Sequence, residues 1–263
     1  MASDKIKINI DNHIAHVILT QPEKHNAFDD SVIMDLTNAF DLVTKDPNIR
    51  VLVLGGEGKS FSAGADLEWM RRMSDYNEIE NLTDAKSMAN MLKTLNDCPK
   101  PTIARVHGAA YGGGVGLVAC CDIAIATENA KFCLSETKLG LAPSTISPYV
   151  INAISEKNAR RFFLTAEVFD SYTAKEIGLI SMVTVNNKID EKIDLLINNL
   201  LENGPMAIAA CKELINAVGK DNPKHNIIDY TANHIAKLRA SDEGKEGINA
   251  FLEKRKPIWK NKK

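Results

Sequence analysis

The chain begins with short alternating apolar runs and continues with apolar positions at helical spacing. Two runs, KIKINI and HIAHVILT, meet at Asp11 and Asn12, which predicts a β-hairpin. Apolar residues then recur every three or four positions over 28–43, which predicts an amphipathic helix capped by Asp29, Asp30 or Ser31. These apolar residues are Val32, Ile33, Leu36, Ala39, Phe40 and Val43.

Further along, continuous apolar runs alternate with helical patterns. The runs predict strands at Ile49–Leu54, Thr102–Val106, Asp122–Thr127 and Lys131–Leu134, and continuous runs of this kind are typical of strands buried on both faces. Helices are predicted from Leu67 and over Asp84–Asp97, Val115–Cys121, Ser147–Ile154, Lys157–Leu164 and Ser171–Glu176. This alternation indicates an α/β core with a largely parallel sheet.

The pattern becomes helical after about Val185. Helices are predicted over Ile189–Glu202, Pro205–Val218, Pro223–Leu238 and Asp242–Glu253, without a convincing strand. We therefore divide the chain into an α/β core, residues 1–185, and a helical region, residues 186–263. A helical extension of this kind folds back on its own domain or forms a subunit interface.

Composition narrows the choice of function class. Among 263 residues, 44% are hydrophobic and 25% charged, as in ordinary globular domains, and with a net charge of -2 we do not expect nucleic acid as a partner. The chain has neither an apolar run long enough for a membrane span nor a signal-peptide pattern at its start, so we expect a cytoplasmic protein without membrane association. The five cysteines are not expected to form disulfides. The chain contains neither a CxxC nor an HExxH motif, so we do not expect a metal site.

The segment VHGAAYGGGVGLVACCD carries the strongest local constraint. Gly112, Gly113 and Gly114 allow a sharp turn and a close approach of backbone N–H groups to a ligand. The apolar residues that follow predict a buried helix whose positive N-terminal end would lie at the glycines. Such an end stabilises a bound anion or a charge that develops on a carbonyl oxygen. A turn in which glycine serves only close packing is the alternative.

Two further features complete a candidate site. Gly64 and Ala65 form a second small-residue turn before a helix, and Glu136 is a lone acid in FCLSETKLGL. If N–H groups from both turns bind one thioester oxygen, they form an oxyanion hole. A carboxylate beside the neighbouring carbons could then move a proton or activate water. Each feature taken alone is weak, because an isolated glutamate is usually a solvated surface residue.

Together these motifs resemble the enoyl-CoA hydratase/isomerase (crotonase) family over nearly the whole chain. The resemblance rests on QPEKHNAF, FSAGADLEWM, the triple-glycine segment through FCLSETKLGL, LTAEVFDSYTAKEIGLI and EGINAFLEKRKPIWK. It implies a crotonase-like spiral of repeated ββα units with a C-terminal helical region that assembles trimers or hexamers. It also implies an acyl-CoA thioester substrate and no separate cofactor, since coenzyme A is part of the substrate.

The resemblance also implies roles for individual residues. Ala65 and Gly113 would supply the two oxyanion N–H groups, and Glu136 would be the catalytic acid/base. The CoA path would be lined by Lys24, Asn26, Ala27, Ala63, Asp66 and Leu67, and the substrate pocket by Gly112, Gly116, Ser144 and Tyr149.

One position departs from the family pattern. Hydratases of the family with two catalytic glutamates carry the first where this chain has Gly116. Glu136 alone suits a shift of a double bond, which is isomerase chemistry. However, residues 108–150 most resemble bacterial 3-methylglutaconyl-CoA and isohexenylglutaconyl-CoA hydratases. We therefore expect a hydratase, with a Δ3,Δ2-enoyl-CoA isomerase as the alternative and an RNA-binding relative as a third, weaker reading.

Overall fold

The fold described here is that of a computed structural model, in which residues 4–219 and 226–260 are described. Nine strands are assigned in this part of the chain. They are β1 (Ile6–Asp11), β2 (Ile14–Leu19), β3 (Val51–Gly56), β4 (Thr102–Val106), β5 (Ala109–Tyr111), β6 (Ile123–Thr127), β7 (Lys131–Cys133), β8 (Phe169–Asp170) and β9 (Met182–Thr184).

Ten α-helices alternate with or follow these strands within the same described residues. They are α1 (Asp30–Lys45), α2 (Leu67–Ser74), α3 (Glu78–Asn96), α4 (Gly113–Cys120), α5 (Ser147–Thr165), α6 (Ser171–Glu176), α7 (Ile189–Leu201), α8 (Pro205–Val218), α9 (Ile227–Ala240) and α10 (Asp242–Leu252). Short 3-10 helices include Pro22–Lys24 and Glu136–Leu139.

The chain divides into two compact units. The first extends to Ile193 but omits Pro99–Pro101, which cluster with the residues from Asp194 onward. The first unit contains a six-stranded sheet in the order β1-β2-β3-β4-β6-β9, in which only the β1–β2 pair is antiparallel. A second sheet has the order β5-β7-β8. The predicted α/β class with a largely parallel sheet is confirmed.

Burial follows the predicted patterns closely in α1 and β3. The six periodic apolar residues of α1 are the buried ones, and the Asp29 side chain caps the helix by accepting the N–H of Val32 at 2.8 Å. In β3, the first five residues are all buried, as expected for a strand covered on both faces. Both elements therefore belong to the hydrophobic core of the first unit.

Several predicted boundaries need correction. The short strands β5, β8 and β9 were not predicted, and α4 begins at Gly113 rather than at Val115. The two helices predicted over 147–164 are confirmed, because α5 consists of two helices separated by a kink at the non-helical residue Ser155, which has φ 71°. The predicted start of a helix at Pro223 lies outside the described residues, and within them α9 begins at Ile227. Very short strands carry too few residues for a periodic signal.

The second unit is built from helices. The Glu243 carboxylate of α10 accepts the N–H groups of Met206 and Ala207 at the start of α8, at 3.1 and 2.8 Å. The Trp259 Nε1–H donates to the carbonyl of Glu202 at 3.1 Å. Among the described residues, no helix is both long and apolar enough to cross a membrane.

Candidate functional site

The two small-residue turns lie directly against each other. Gly64 has φ +90° and Gly112 has φ +49°, and residues that carry a side chain rarely adopt φ values in this range. A Cβ placed on Gly64 would lie 3.1 Å from the carbonyl oxygen of Tyr111 and 3.9 Å from the Cα of Gly112. Both turns therefore need glycine for conformation, and Gly64 also needs it for their close approach.

The turns carry two backbone N–H groups that are available to a ligand. Gly113 is the first residue of α4, so its N–H has no partner within the helix. Ala65 is exposed just before α2. Within residues 4–219 and 226–260, neither N–H group donates a hydrogen bond. These are the two residues from which an oxyanion hole was predicted, and the structure leaves both donors free.

Glu136 lies beside the glycine turn. A Cβ placed on Gly112 would lie 3.2 Å from Oε1 of Glu136. Its other oxygen, Oε2, is buried without a hydrogen-bond partner among the described residues, and burial raises the pKa of this carboxyl above its usual value. An unpaired buried carboxylate is costly, and such groups concentrate at functional sites. Glu136 therefore has the position and the raised pKa that a group exchanging a proton at the turn would need.

The position of a second acid is closed by apolar side chains. Gly116 is buried in α4, and a Cβ there would lie 2.3 Å from Cγ2 of Ile146 and 3.4 Å from Cδ2 of Leu92. A larger side chain at Gly116 therefore requires Ile146 to move. The space beside Gly116, where a second acid would be expected from the resemblance, is filled here by hydrocarbon.

The residues predicted along the CoA path come from two adjoining loops. The Lys24 ammonium lies 3.1 Å from the Asp66 carboxylate, and the N–H of Ala63 donates to the carbonyl of His25 at 2.9 Å. Asp66 also caps α2 by accepting the N–H groups of Glu68 and Trp69, so it has a structural role of its own.

The other three residues of this set differ in exposure. Leu67 is 72% exposed, Ala27 is buried, and Asn26 is only 1% exposed. The Asn26 side chain accepts the N–H of Gln21 and donates to the carbonyls of Glu57 and Ser60. The structure therefore places Asn26 beneath the loops, where it holds them together.

Two of the predicted pocket residues, Tyr149 and Ser144, have partners other than Glu136 in the described part of the chain. Burial, with Cys120 and Asp97 nearby, raises the pKa of Tyr149. Cys120 is the last residue of α4, and because it follows Gly113 by seven residues it lies about 10 Å from Gly113 along the helix. Ser144 is exposed and its N–H donates to the carbonyl of Ala142 at 2.7 Å. In the described part of the chain, no hydrogen bond joins either residue to Glu136, and their pocket roles stay predictions.

Sequence reasoning missed two residues that shape the site. Ile146 fills the space beside Gly116, although thirty positions separate them and no local pattern links them. Phe28 contacts Gly113 and pairs with Ala65. It directly follows QPEKHNA, so the motif that indicated a ligand loop also marked its position.

Comparison with known proteins gives consistent matches. A family described as "Enoyl-CoA hydratase/isomerase" matches residues 9–262. A "Putative enoyl-CoA hydratase" from Thermus thermophilus is 34% identical over 93% of this chain and 96% of its own. A crystal structure of an enoyl-CoA hydratase from Shewanella pealeana is 42% identical, with a TM-score of 0.94 over 97% of this chain and 96% of its own.

Another crystal structure, a putative enoyl-CoA hydratase/isomerase (crotonase) from Legionella pneumophila, is 41% identical. Its TM-score is 0.92 over 98% of this chain and 100% of its own. A relative with a different reaction name, the mitochondrial Delta(3,5)-Delta(2,4)-dienoyl-CoA isomerase of Dictyostelium discoideum, is 29% identical over 97% of this chain and 90% of its own. Hydratase and isomerase names therefore both occur among the similar proteins.

Proposed function

This chain belongs to the enoyl-CoA hydratase/isomerase family, and we propose that it adds water to an α,β-unsaturated acyl-CoA with Glu136 as its one acid/base. The observation that carries the proposal is the Glu136 carboxyl, whose Oε1 lies beside Gly112 and whose Oε2 is buried and unpaired among the described residues. The two adjoining turns carry the free N–H groups of Ala65 and Gly113. This set provides a proton carrier and an oxyanion hole, and the reaction requires both.

The proposed reaction uses Glu136 twice. The N–H groups of Ala65 and Gly113 bind the thioester oxygen, while the carboxylate of Glu136 accepts a proton from water. The water oxygen bonds to the β carbon, and the electrons of the double bond move through the α carbon onto the thioester oxygen, giving an enolate. The enolate collapses as Glu136 returns the proton to the α carbon. Negative charge develops on the oxygen that both N–H groups face, where they stabilise it.

The raised pKa of Glu136 suits this double role. A carboxyl that must accept a proton from water and then protonate carbon works best when its pKa is moved towards the working pH. Burial supplies that change here. The same burial keeps bulk water from competing for the carboxylate.

For the acyl group, we propose 3-methylglutaconyl-CoA as the first substrate. Support comes from the resemblance of residues 108–150 to bacterial hydratases of branched acids. The CoA portion would pass along the loops that contain Lys24, Ala63 and Asp66, which the salt bridge and backbone hydrogen bond hold together. The helical region, residues 186–263, would join subunits into trimers or hexamers.

A Δ3,Δ2-enoyl-CoA isomerase is the second candidate. Ile146 and Leu92 fill the space beside Gly116, so a second acid is absent from that position and water has one anchor fewer. Glu136 could then remove a proton from the α carbon and return it to the γ carbon, with the enolate again held by Ala65 and Gly113. This reaction needs one carboxylate and no water.

Three substrates assayed side by side distinguish the candidates. The purified chain is given crotonyl-CoA, 3-methylglutaconyl-CoA and a 3-enoyl-CoA, and the products are identified by mass and retention. A gain of one water by either of the first two supports the hydratase, and faster turnover of 3-methylglutaconyl-CoA supports the substrate. Turnover of the 3-enoyl-CoA alone, without a change of mass, would replace the hydratase by the isomerase.

A further inference from the structure

Phe28 contacts the turns of both proposed oxyanion donors. It is 1% exposed and lies just before α1, outside any regular element. Its backbone pairs with the segment around Ala65, and its ring packs against Gly113. We infer that Phe28 is a positioning residue that sets the spacing between these two N–H groups. The inference rests on the proposed function.

The backbone of Phe28 fixes the peptide of Ala65 from both sides. The N–H of Phe28 donates to the carbonyl of Gly64 at 2.7 Å, and its carbonyl accepts the N–H of Asp66, also at 2.7 Å. These bonds flank Ala65 and form an isolated parallel bridge with it. They also direct the N–H of Ala65 away from Phe28, since alternate amides of a bridged segment point to opposite sides. The donor is thus held but left unpaired.

The ring of Phe28 fixes the other donor. A Cβ placed on Gly113 would lie 2.7 Å from Cε2 and 3.0 Å from Cδ2 of Phe28, and 2.8 Å from Cε of Met88. Gly113 therefore rests against an aromatic edge and a methyl group, with no space between them for a side chain. The start of α4 cannot move towards Phe28 without a clash.

The turn that precedes Phe28 holds Phe28 in place. His25 and Asn26 both have positive φ, 53° and 54°, which is costly for residues other than glycine. The three hydrogen bonds of the buried Asn26 side chain hold this conformation against its cost. Phe28 therefore follows a turn that is held in one conformation. Its contacts then hold the N–H groups of Ala65 and Gly113 in fixed positions.

The spacing of the donors should affect the transition state more than substrate binding. An oxyanion forms only during the reaction, so misplaced donors lower kcat while contacts along coenzyme A maintain KM. A misplacement of about 1 Å can cost about a hundredfold in rate. Replacing the ring by a smaller apolar side chain leaves the backbone bridge but removes the support of Gly113.

The test compares Phe28→Leu with two matched variants. Phe40→Leu changes an equally buried phenylalanine in α1, and Met88→Leu changes a second side chain that contacts Gly113. For each, kcat, KM and the unfolding midpoint are measured, together with the infrared carbonyl stretch of a bound thioester. If Phe28→Leu does not fold, Phe28→Met takes its place.

We expect Phe28→Leu to lower kcat by about tenfold or more, with KM changed less than about threefold and a smaller carbonyl shift than in the wild type. Phe40→Leu should lose similar stability but keep kcat, and Met88→Leu should lose less kcat than Phe28→Leu. An unchanged kcat and carbonyl shift in a folded Phe28 variant would overturn the inference. A wild type that binds the thioester without any carbonyl shift would instead overturn the proposed oxyanion hole, and the inference with it.

Discussion

Cγ2 of Ile146 lies 2.3 Å from the place that a Cβ on Gly116 would occupy. Real Cβ atoms are essentially never this close to another atom, so Gly116 and Ile146 depend on each other. The glycine admits the isoleucine, and the isoleucine closes the position that a second catalytic acid would need. This pair accounts for the absence of a carboxylate at position 116 of this chain.

The pair predicts that an acid cannot simply be restored. Gly116→Glu should lower the free energy of unfolding by about 3 kcal/mol, because the side chain is forced into Ile146 and its charge is buried without a partner. Adding Ile146→Ala should recover part of this loss by making room. Urea unfolding of the two variants, with Gly116→Ala as the control for steric effects alone, measures both contributions. A Gly116→Glu variant as stable as the wild type would refute the closed position.

Glu136 should reduce stability at neutral pH. Burial raises the pKa of its carboxyl above 4.5, so the folded state binds this proton more tightly than the unfolded chain does. The stabilisation that comes from binding this proton is fully present below pH 4.5 and is lost as the pH rises through the raised pKa of Glu136. Glu136→Gln should therefore be more stable than the wild type by about 1 kcal/mol at neutral pH.

This advantage should shrink as the pH falls, which chemical unfolding at a series of pH values can follow. Glu23→Gln, at an exposed position, serves as the matched control and should show no gain at neutral pH. A Glu136→Gln advantage that stays constant across the series would exclude ionisation as its cause.

Asn26 should be needed mainly for stability. Asn26→Ala removes three hydrogen bonds from a buried side chain and leaves an alanine at φ 54°. We expect a loss of about 3 kcal/mol in the free energy of unfolding. Asn38→Ala, at an exposed position of α1, should change it by less than about 0.5 kcal/mol. Equal effects of the two substitutions would contradict the role given to Asn26.

Lys24 should act on coenzyme A binding rather than on the chemical step. Lys24→Ala is expected to raise KM by about three- to tenfold with kcat nearly unchanged, because uniform binding energy is lost. Lys45→Ala removes another exposed lysine that pairs with an aspartate, Asp41 at 3.0 Å, and should leave KM unchanged. Steady-state kinetics at two salt concentrations would test this, since the Lys24 effect should weaken at high salt. A lowered kcat with unchanged KM would argue against it.

The sequence predicted the elements whose signals are local. The periodic residues of α1, its Asp29 cap and the continuous apolar run of β3 each reflect a contact pattern within a few residues. The same holds for the glycines at 64 and 112, because glycine is the residue that adopts a positive φ at little steric cost. The two- and three-residue strands β8 and β5 were not predicted, because they are defined by their pairing with strands distant in the chain.

For the site, the sequence indicated the residue types but not their contacts. Glu136 was singled out by resemblance, yet its unpaired oxygen and raised pKa arise from burial that no local pattern displays. Ile146 lies against Gly116, and Phe28 lies against Gly113. Each of these contacts is between segments that are far apart in the chain. Such contacts appear only when the fold brings those segments together.

Hydration of an enoyl-CoA by the wild type and by Glu136→Gln is the decisive measurement of the role proposed for Glu136. The loss of ultraviolet absorbance of the conjugated thioester gives the rate, and competition with a saturated acyl-CoA gives binding. We expect kcat to fall by about a thousandfold in Glu136→Gln, while the affinity for the saturated acyl-CoA stays within about threefold. Hydration at the wild-type rate by Glu136→Gln would contradict the assignment of Glu136 as the acid/base.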